Sequence, residues 1–243
     1  MQSGQRLTLF ERKQVEKWLA TEPESLNVRA SNDPEFGKLR AKIELLIAEN
    51  DKDAQFDATI RYLALNFFDR FSSMDTMPTL GKKDFAYHVT VLVMSCLLIA
   101  LKMKGDSFSK IMNLKNWPKM KIDEKDIDKM ESLILKRTGP PEDCVNALFY
   151  VPSFLSIVEE GATQFKSNVI RLITQSHGAV KFVQFRPSVI AASAILTNIE
   201  NISLEKHHDC MKRFTVTDLQ LNKEELESCQ NTMFISHFLR ETS

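Results

Sequence analysis

The sequence predicts an all-α fold of two helical lobes, and three observations carry that prediction. Apolar residues recur at i, i+3 and i+4 along most of the 243 residues, whereas strict alternation is rare. Only seven glycines occur, and the eight prolines fall mostly between the periodic segments. A Gly139-Pro140-Pro141 stop then splits the pattern into two sets of about five helices each, behind a short N-terminal helix. The expected boundaries are 1–33 for the N-terminal helix and linker, 34–138 for the first lobe and 139–243 for the second.

A first helix is expected over about Thr8 to Ala20, with Phe10, Val15, Trp18 and Leu19 as its apolar side. Glu22 to Pro34 reads as a linker. Asp33-Pro34 opens the next helix, with aspartate as N-cap and proline at the first helical position. Its stripe is Leu39, Ile43, Leu46 and Ile47, and it fades at Glu49-Asn50-Asp51. About Ala54 to Ser72 is apolar on one side through Phe56, Ile60, Leu63, Phe67, Phe68 and Phe71. After a loop holding Met77-Pro78 and Gly81, about Asp84 to Lys104 is hydrophobic nearly all round, the pattern of a helix at the centre of a bundle. A turn at Ser107 to Met112 and a loop at Trp117-Pro118 precede a helix over Asp123 to Lys136. Beyond Gly139, helices are expected at about Asn146 to Glu159, Gln164 to His177, Pro187 to Ile199 and Lys223 to Leu239.

Composition narrows the function. A hydrophobic fraction of 43% is enough to build cores, and 32 basic against 32 acidic residues leave no net charge. That balance argues against a chain whose work is gripping nucleic acid or an anionic membrane, since both need a positive field. Cys96, Cys144, Cys210 and Cys229 stand apart without a C-x-x-C pair, the usage of a reducing compartment. The N-terminus is polar, and the apolar run Val89 to Leu101 reads as too short for a bilayer, so a soluble intracellular protein is expected.

No G-x-S-x-G, P-loop or G-x-G-x-x-G sequence occurs, so no enzyme and no cofactor is expected. His207-His208-Asp209-Cys210 has no second Cys/His cluster at zinc spacing, and reads as a polar loop without a metal. The charged run Lys121 to Lys129 reads as a solvated helix face.

More specific wording sits in three places. Tyr62-Leu63-Ala64-Leu65-Asn66-Phe67-Phe68-Asp69-Arg70-Phe71 lies 29 residues after Arg40 at its aspartate, with Arg40 inside Leu39-Arg40-Ala41-Lys42-Ile43. Ala100-Leu101-Lys102-Met103-Lys104 and Lys129-Met130-Glu131-Ser132-Leu133-Ile134-Leu135 place Lys102 and Glu131 the same distance apart. Phe185-Arg186-Pro187-Ser188, followed by an apolar pair and small residues, and Asn222 to Cys229 add weaker matches. On residues alone, Arg40 and Asp69 could join neighbouring helices as a bidentate pair or stand as surface charges. Asp69 sits among phenylalanines, which favours the pair.

In order and spacing these segments resemble the cyclin family, and the plant D-type cyclins most closely, over about residues 36–238. The resemblance implies two cyclin-box lobes and a non-enzymatic regulatory subunit that binds and activates a cyclin-dependent kinase in cell-cycle control, in the nucleus and cytoplasm. It implies Arg40–Asp69 as a structural ion pair. Kinase binding falls to Lys102 and Glu131, with Met103 and Leu135 as apolar neighbours. Leu39, Ile43 and Leu46, with Glu49 one turn on, fall at the patch that docks Arg-x-Leu peptides of substrates or inhibitors; by spacing alone the same line is equally a core stripe. The chain departs from the family at Leu46, where a tryptophan is usual, and at the junction Lys136-Arg137-Thr138-Gly139-Pro140. No retinoblastoma-binding Leu-x-Cys-x-Glu motif occurs near the N-terminus. These departures fit a short, divergent member like the plant D6 subgroup. The alternatives are a degenerate cyclin that binds a kinase without activating it, and a cyclin-fold transcription adaptor.

Overall fold

The structure, a computed structural model, describes residues 7–22, 33–50, 56–74, 84–105, 122–158, 165–200 and 203–241. The expected loops at 77–81, 107–112 and 117–118 lie outside these residues, as do most of the expected linker and the side chain of Glu49. Ten α-helices and no strand occur among the described residues: α1 (Leu9–Thr21), α2 (Pro34–Asn50), α3 (Ala58–Met74), α4 (Phe85–Lys104), α5 (Glu124–Thr138), α6 (Ala147–Val158), α7 (Lys166–Ser176), α8 (Pro187–Glu200), α9 (Leu204–Lys212) and α10 (Lys223–Glu241). They fall into two compact units. One spans residues 27–144; the other spans 145–243 and includes α1.

In the 27–144 unit, side-chain caps set where the helices start. Asp33 Oδ1 accepts from the Glu35 amide at 2.9 Å, Asp84 from Tyr87 at 2.7 Å, and Asp123 from Lys125 at 3.0 Å. Each satisfies an amide that the first helical turn would otherwise leave unpaired. α4 is the central element, buried from Tyr87 to Leu101 except at Thr90, and it packs against α2, α3 and α5. Twenty residues make it long and apolar enough to cross a membrane, longer than its apolar run suggested. Most of it is buried within the protein, as a core helix is.

Gly105 ends α4 in the left-handed region at φ +66°, donating its N–H to Leu101 O and Lys102 O. A Cβ there would meet nothing within 4 Å, so only the backbone opposes a side chain. Gly105→Ala should therefore cost about 1 kcal/mol, read as a fall in Tm of about 3–5 °C. An unchanged Tm would show that the cap contributes nothing.

In the other unit α8 takes the central place, packing against α6, α7, α9 and α10. Pro187 opens it, and Ala191, Ala192, Ser193 and Ala194 are small enough for α10 to approach until Ser193 Oγ donates to Leu226 O at 3.2 Å. Three expectations are corrected here. Phe10 is not on the apolar side of α1 but 78% exposed, because α1 buries the face carrying Val15 and Trp18. Glu22 is no linker residue: it caps the end of α1 and is 1% exposed. His207 to Cys210 form no loop but the middle of α9, started by Ser203 Oγ accepting from the Lys206 amide. Gln230 Nε2 lies 3.2 Å from His207 Nε2, and no group of three metal-ligating side chains occurs among the described residues.

Candidate functional site

The structure brings Arg40 and Asp69 together inside the first unit. Arg40 Nε donates to Asp69 Oδ1 at 2.9 Å, and its second terminal nitrogen donates to Oδ2 at 3.2 Å. Both side chains are buried, Arg40 to 1% exposure, and Glu44 adds a longer contact at 3.6 Å. The buried face of α2 explains why the arginine goes in. Phe36, Arg40, Ile43 and Ile47 recur at helical spacing, so Arg40 occupies a core position while Phe36 stacks on Phe68 of α3 at 5.8 Å. A fork of donors on α2 facing a carboxylate on α3 locks the register of the two helices.

Lys102 and Glu131 also meet. Lys102 Nζ stands 2.8 Å and 2.9 Å from the two Glu131 oxygens. The pair is lopsided: the lysine is 54% exposed and the glutamate 12%, because α5 packs against α4 and carries Glu131 on its inner shoulder. Lys102 and Lys104 fall in the last turn of α4, where cations suit the helix dipole. A depression of about 250 Å³ opens beside the pair, lined by Ile99, Asp128, Leu135 and Pro141. Leu135 is half-exposed in that lining, and Met103, next to Lys102 in the last turn of α4, is half-exposed as well. The arrangement is a preformed polar pair with an apolar margin and one cationic end in solvent.

The line Leu39, Ile43 and Leu46 does not share one exposure. Ile43 is 1% exposed and belongs to the core, whereas Leu39 and Leu46 are half-exposed at its shoulders. Lys42, not Ile43, occupies the outward position between them.

Two family models cover nearly all of the chain: the cyclin N-terminal domain matches residues 8–138 and the cyclin C-terminal domain residues 147–243. The chain belongs to the cyclin family. Among curated proteins it is similar to the rice (Oryza sativa subsp. japonica) Cyclin-D4-2, 27% identical over 191 residues, covering 77% of this chain and 48% of that protein. The Arabidopsis thaliana Cyclin-D4-2 is 28% identical over 151 residues, covering 60% and 49%. The putative cyclin-D6-1 of the same plant is 26% identical over 181 residues, covering 71% and 57%. This cyclin thus spans about half the length of the curated relatives it matches, all of them plant D-type cyclins.

Sequence reasoning missed two polar clusters in this cyclin. Tyr87 of α4 donates its hydroxyl to Asp126 at 2.8 Å and accepts from the Asp123 amide at 3.2 Å, tying the start of α5 to α4. The other is Glu22, which accepts from the Ser188 amide and the Ser188 hydroxyl, both at 2.7 Å, at the first turn of α8. Arg186 and Tyr150 stand beside it, and Arg186 is itself held by Glu225. Burial pushes the Glu22 carboxyl above its ordinary value, outweighing the opposing pull of Ser188 and Arg186. One signal was available. Val15, Trp18 and Glu22 are spaced i, i+3, i+7, which puts the glutamate on the buried face.

Proposed function

We propose that this cyclin is the non-enzymatic regulatory subunit of a cyclin-dependent serine/threonine kinase, acting in cell-cycle control in the nucleus and cytoplasm. It binds and activates the kinase through the α4–α5 face that carries Lys102 and Glu131. The observation that supports this most is the preformed Lys102–Glu131 pair. An exposed Lys–Glu pair contributes little to stability. Its other use is to offer oriented donors and acceptors to a partner's backbone without first ordering two long side chains. The half-exposed Met103 and Leu135 supply the apolar margin that a hot spot needs to exclude water.

Activation follows from differential binding. A partner that engages the kinase's mobile helix only in its inward position shifts the population toward the active form, in which the kinase's own Lys–Glu pair is complete. Lys102→Ala combined with Glu131→Ala should weaken kinase binding by about a hundredfold, the scale of two hot-spot residues. Far-UV circular dichroism and Tm should stay unchanged. Affinity retained within threefold would overturn the assignment of this face. A kinase assay on a retinoblastoma-type substrate, run with the wild-type complex, separates activation from binding alone.

A further inference from the structure

α1 is held to its unit by a narrow face. Val15 is buried, Trp18 lies on Phe149 and Tyr150 of α6 at 5.5 Å and 5.4 Å, and Glu22 closes the line at α8. The opposite face is in water: Leu9 and Phe10 are 71% and 78% exposed, and Lys13 and Lys17 are exposed beside them. A helix of 13 residues is marginal by itself, so α1 owes its helicity largely to being docked. An element with so few buried contacts opens at less cost than unfolding the whole unit.

The seat of α1 is incomplete without it. α8 begins at Pro187, which has no N–H, so Ser188 carries the first amide that needs an acceptor. The residue before the helix is Arg186, whose side chain has donors only and is taken up by Glu225 of α10, with Nε 3.2 Å from both carboxylate oxygens. Arg186 therefore leaves α8 without a side-chain cap. Glu22 supplies it, accepting from the amide and the hydroxyl of the fully buried Ser188 at 2.7 Å each. Burial disfavours the charge on Glu22, so water regains part of the docking energy when α1 leaves.

We propose that α1 is a releasable strap, and that its seat across α6 and the first turn of α8 is a binding site for a helix carrying a large aromatic ring and, four residues on, a carboxylate. That spacing puts both groups on one face of the incoming helix. In the closed state the chain's own Trp18 and Glu22 fill the seat. When the strap leaves, another helix of the same pattern takes the rings of Phe149 and Tyr150 and the two Ser188 donors. Each exchange of occupant is felt at α8, the helix around which the unit is built. Kinase binding plays no part in this, since it uses the α4–α5 face of the other unit.

Two measurements on the full chain test the strap and its seat. Native-state hydrogen exchange of wild type should show the amides of Val15 to Thr21 and of Ser188 exchanging together, about tenfold or more faster than Ala192 to Leu196 at the centre of α8. Fluorescence polarisation with a labelled peptide of residues 7–22 is the second. The peptide should bind the Trp18→Ala chain, whose own strap is loosened. Wild type should bind it at least about tenfold more weakly, because a tethered strap competes at high effective concentration. A Glu22→Ala version of the peptide should bind the Trp18→Ala chain about tenfold more weakly than the natural peptide, the scale of a charge-assisted hydrogen bond. Strap amides that exchange no faster than the centre of α8 would overturn the proposal. So would a natural peptide that fails to bind the variant or binds wild type equally well, a Glu22→Ala peptide as tight as the natural one, or a Trp18→Ala chain in which α6 to α10 unfold with α1.

Discussion

Asp69→Ala will destabilise the 27–144 unit by about 3–5 kcal/mol, the range for breaking a buried ion pair from one side. The change removes a small side chain, yet it takes the bidentate carboxylate from the Arg40 guanidinium, which is 1% exposed on the buried face of α2 with Phe36 and Ile43. Two charge-assisted hydrogen bonds go with it, at 2.9 Å and 3.2 Å, and the contact to Glu44 is a longer one at 3.6 Å. At a urea m-value of about 2 kcal/mol/M, the midpoint of that unit should fall by roughly 2 M. The double variant Arg40→Met with Asp69→Leu should recover most of the loss, because an apolar pair needs no desolvation of charge. What it should not recover is the register of α2 against α3, visible as broadened amide resonances in both helices. A midpoint within 0.5 M of wild type for Asp69→Ala would show that Arg40 escapes to solvent.

Glu22→Ala will cost the other unit about 2–3 kcal/mol. The Ser188 amide and hydroxyl both lose their acceptor at a buried position, at about 1–3 kcal/mol for each group left unpaired, and relief of the buried charge returns part of that. The pH dependence identifies the cause. The folded-state carboxyl titrates above its ordinary 4.5, so the folded protein keeps this proton to higher pH than the unfolded chain does. The favourable contribution of Glu22 is therefore fullest below about pH 4.5 and declines as pH rises through the folded-state value. Glu22→Gln keeps one acceptor and cannot titrate. Denaturant midpoints of wild type relative to Glu22→Gln should fall between pH 4 and pH 7. A difference that grows with pH would mean that Arg186 and Ser188 outweigh burial.

Much of the fold was legible because helix signals are local. The residues that start helices appear in the chain directly before the segments they cap: Thr8, Asp33, Asp84 and Asp123. The all-round apolar composition of Asp84 to Lys104 and the small residues after Pro187 identified the two central helices, since a helix without a polar face has nowhere else to go. The errors fall where local pattern is ambiguous. Phe10 looked like core because apolar character was read without its angle from Val15 and Trp18. His207 to Cys210 looked like a loop because polarity is shared by loops and by the outer faces of helices. Ile43 was grouped with Leu39 and Leu46, although a rotation of about 40° around the helix separates a core position from a shoulder.

The amino-acid sequence by itself determined the helical class, the helix stop at Gly139, the family and the residue types at Arg40, Asp69, Lys102 and Glu131. Each of these depends on periodicity, backbone punctuation or spacing along the chain. Only the tertiary structure decided which charges meet, because a pair 29 residues apart exists only once two helices are packed at one register. The same holds for Glu22. No local rule joins it to Ser188, 166 residues away, and the bond is made only where burial removes water as the competing partner.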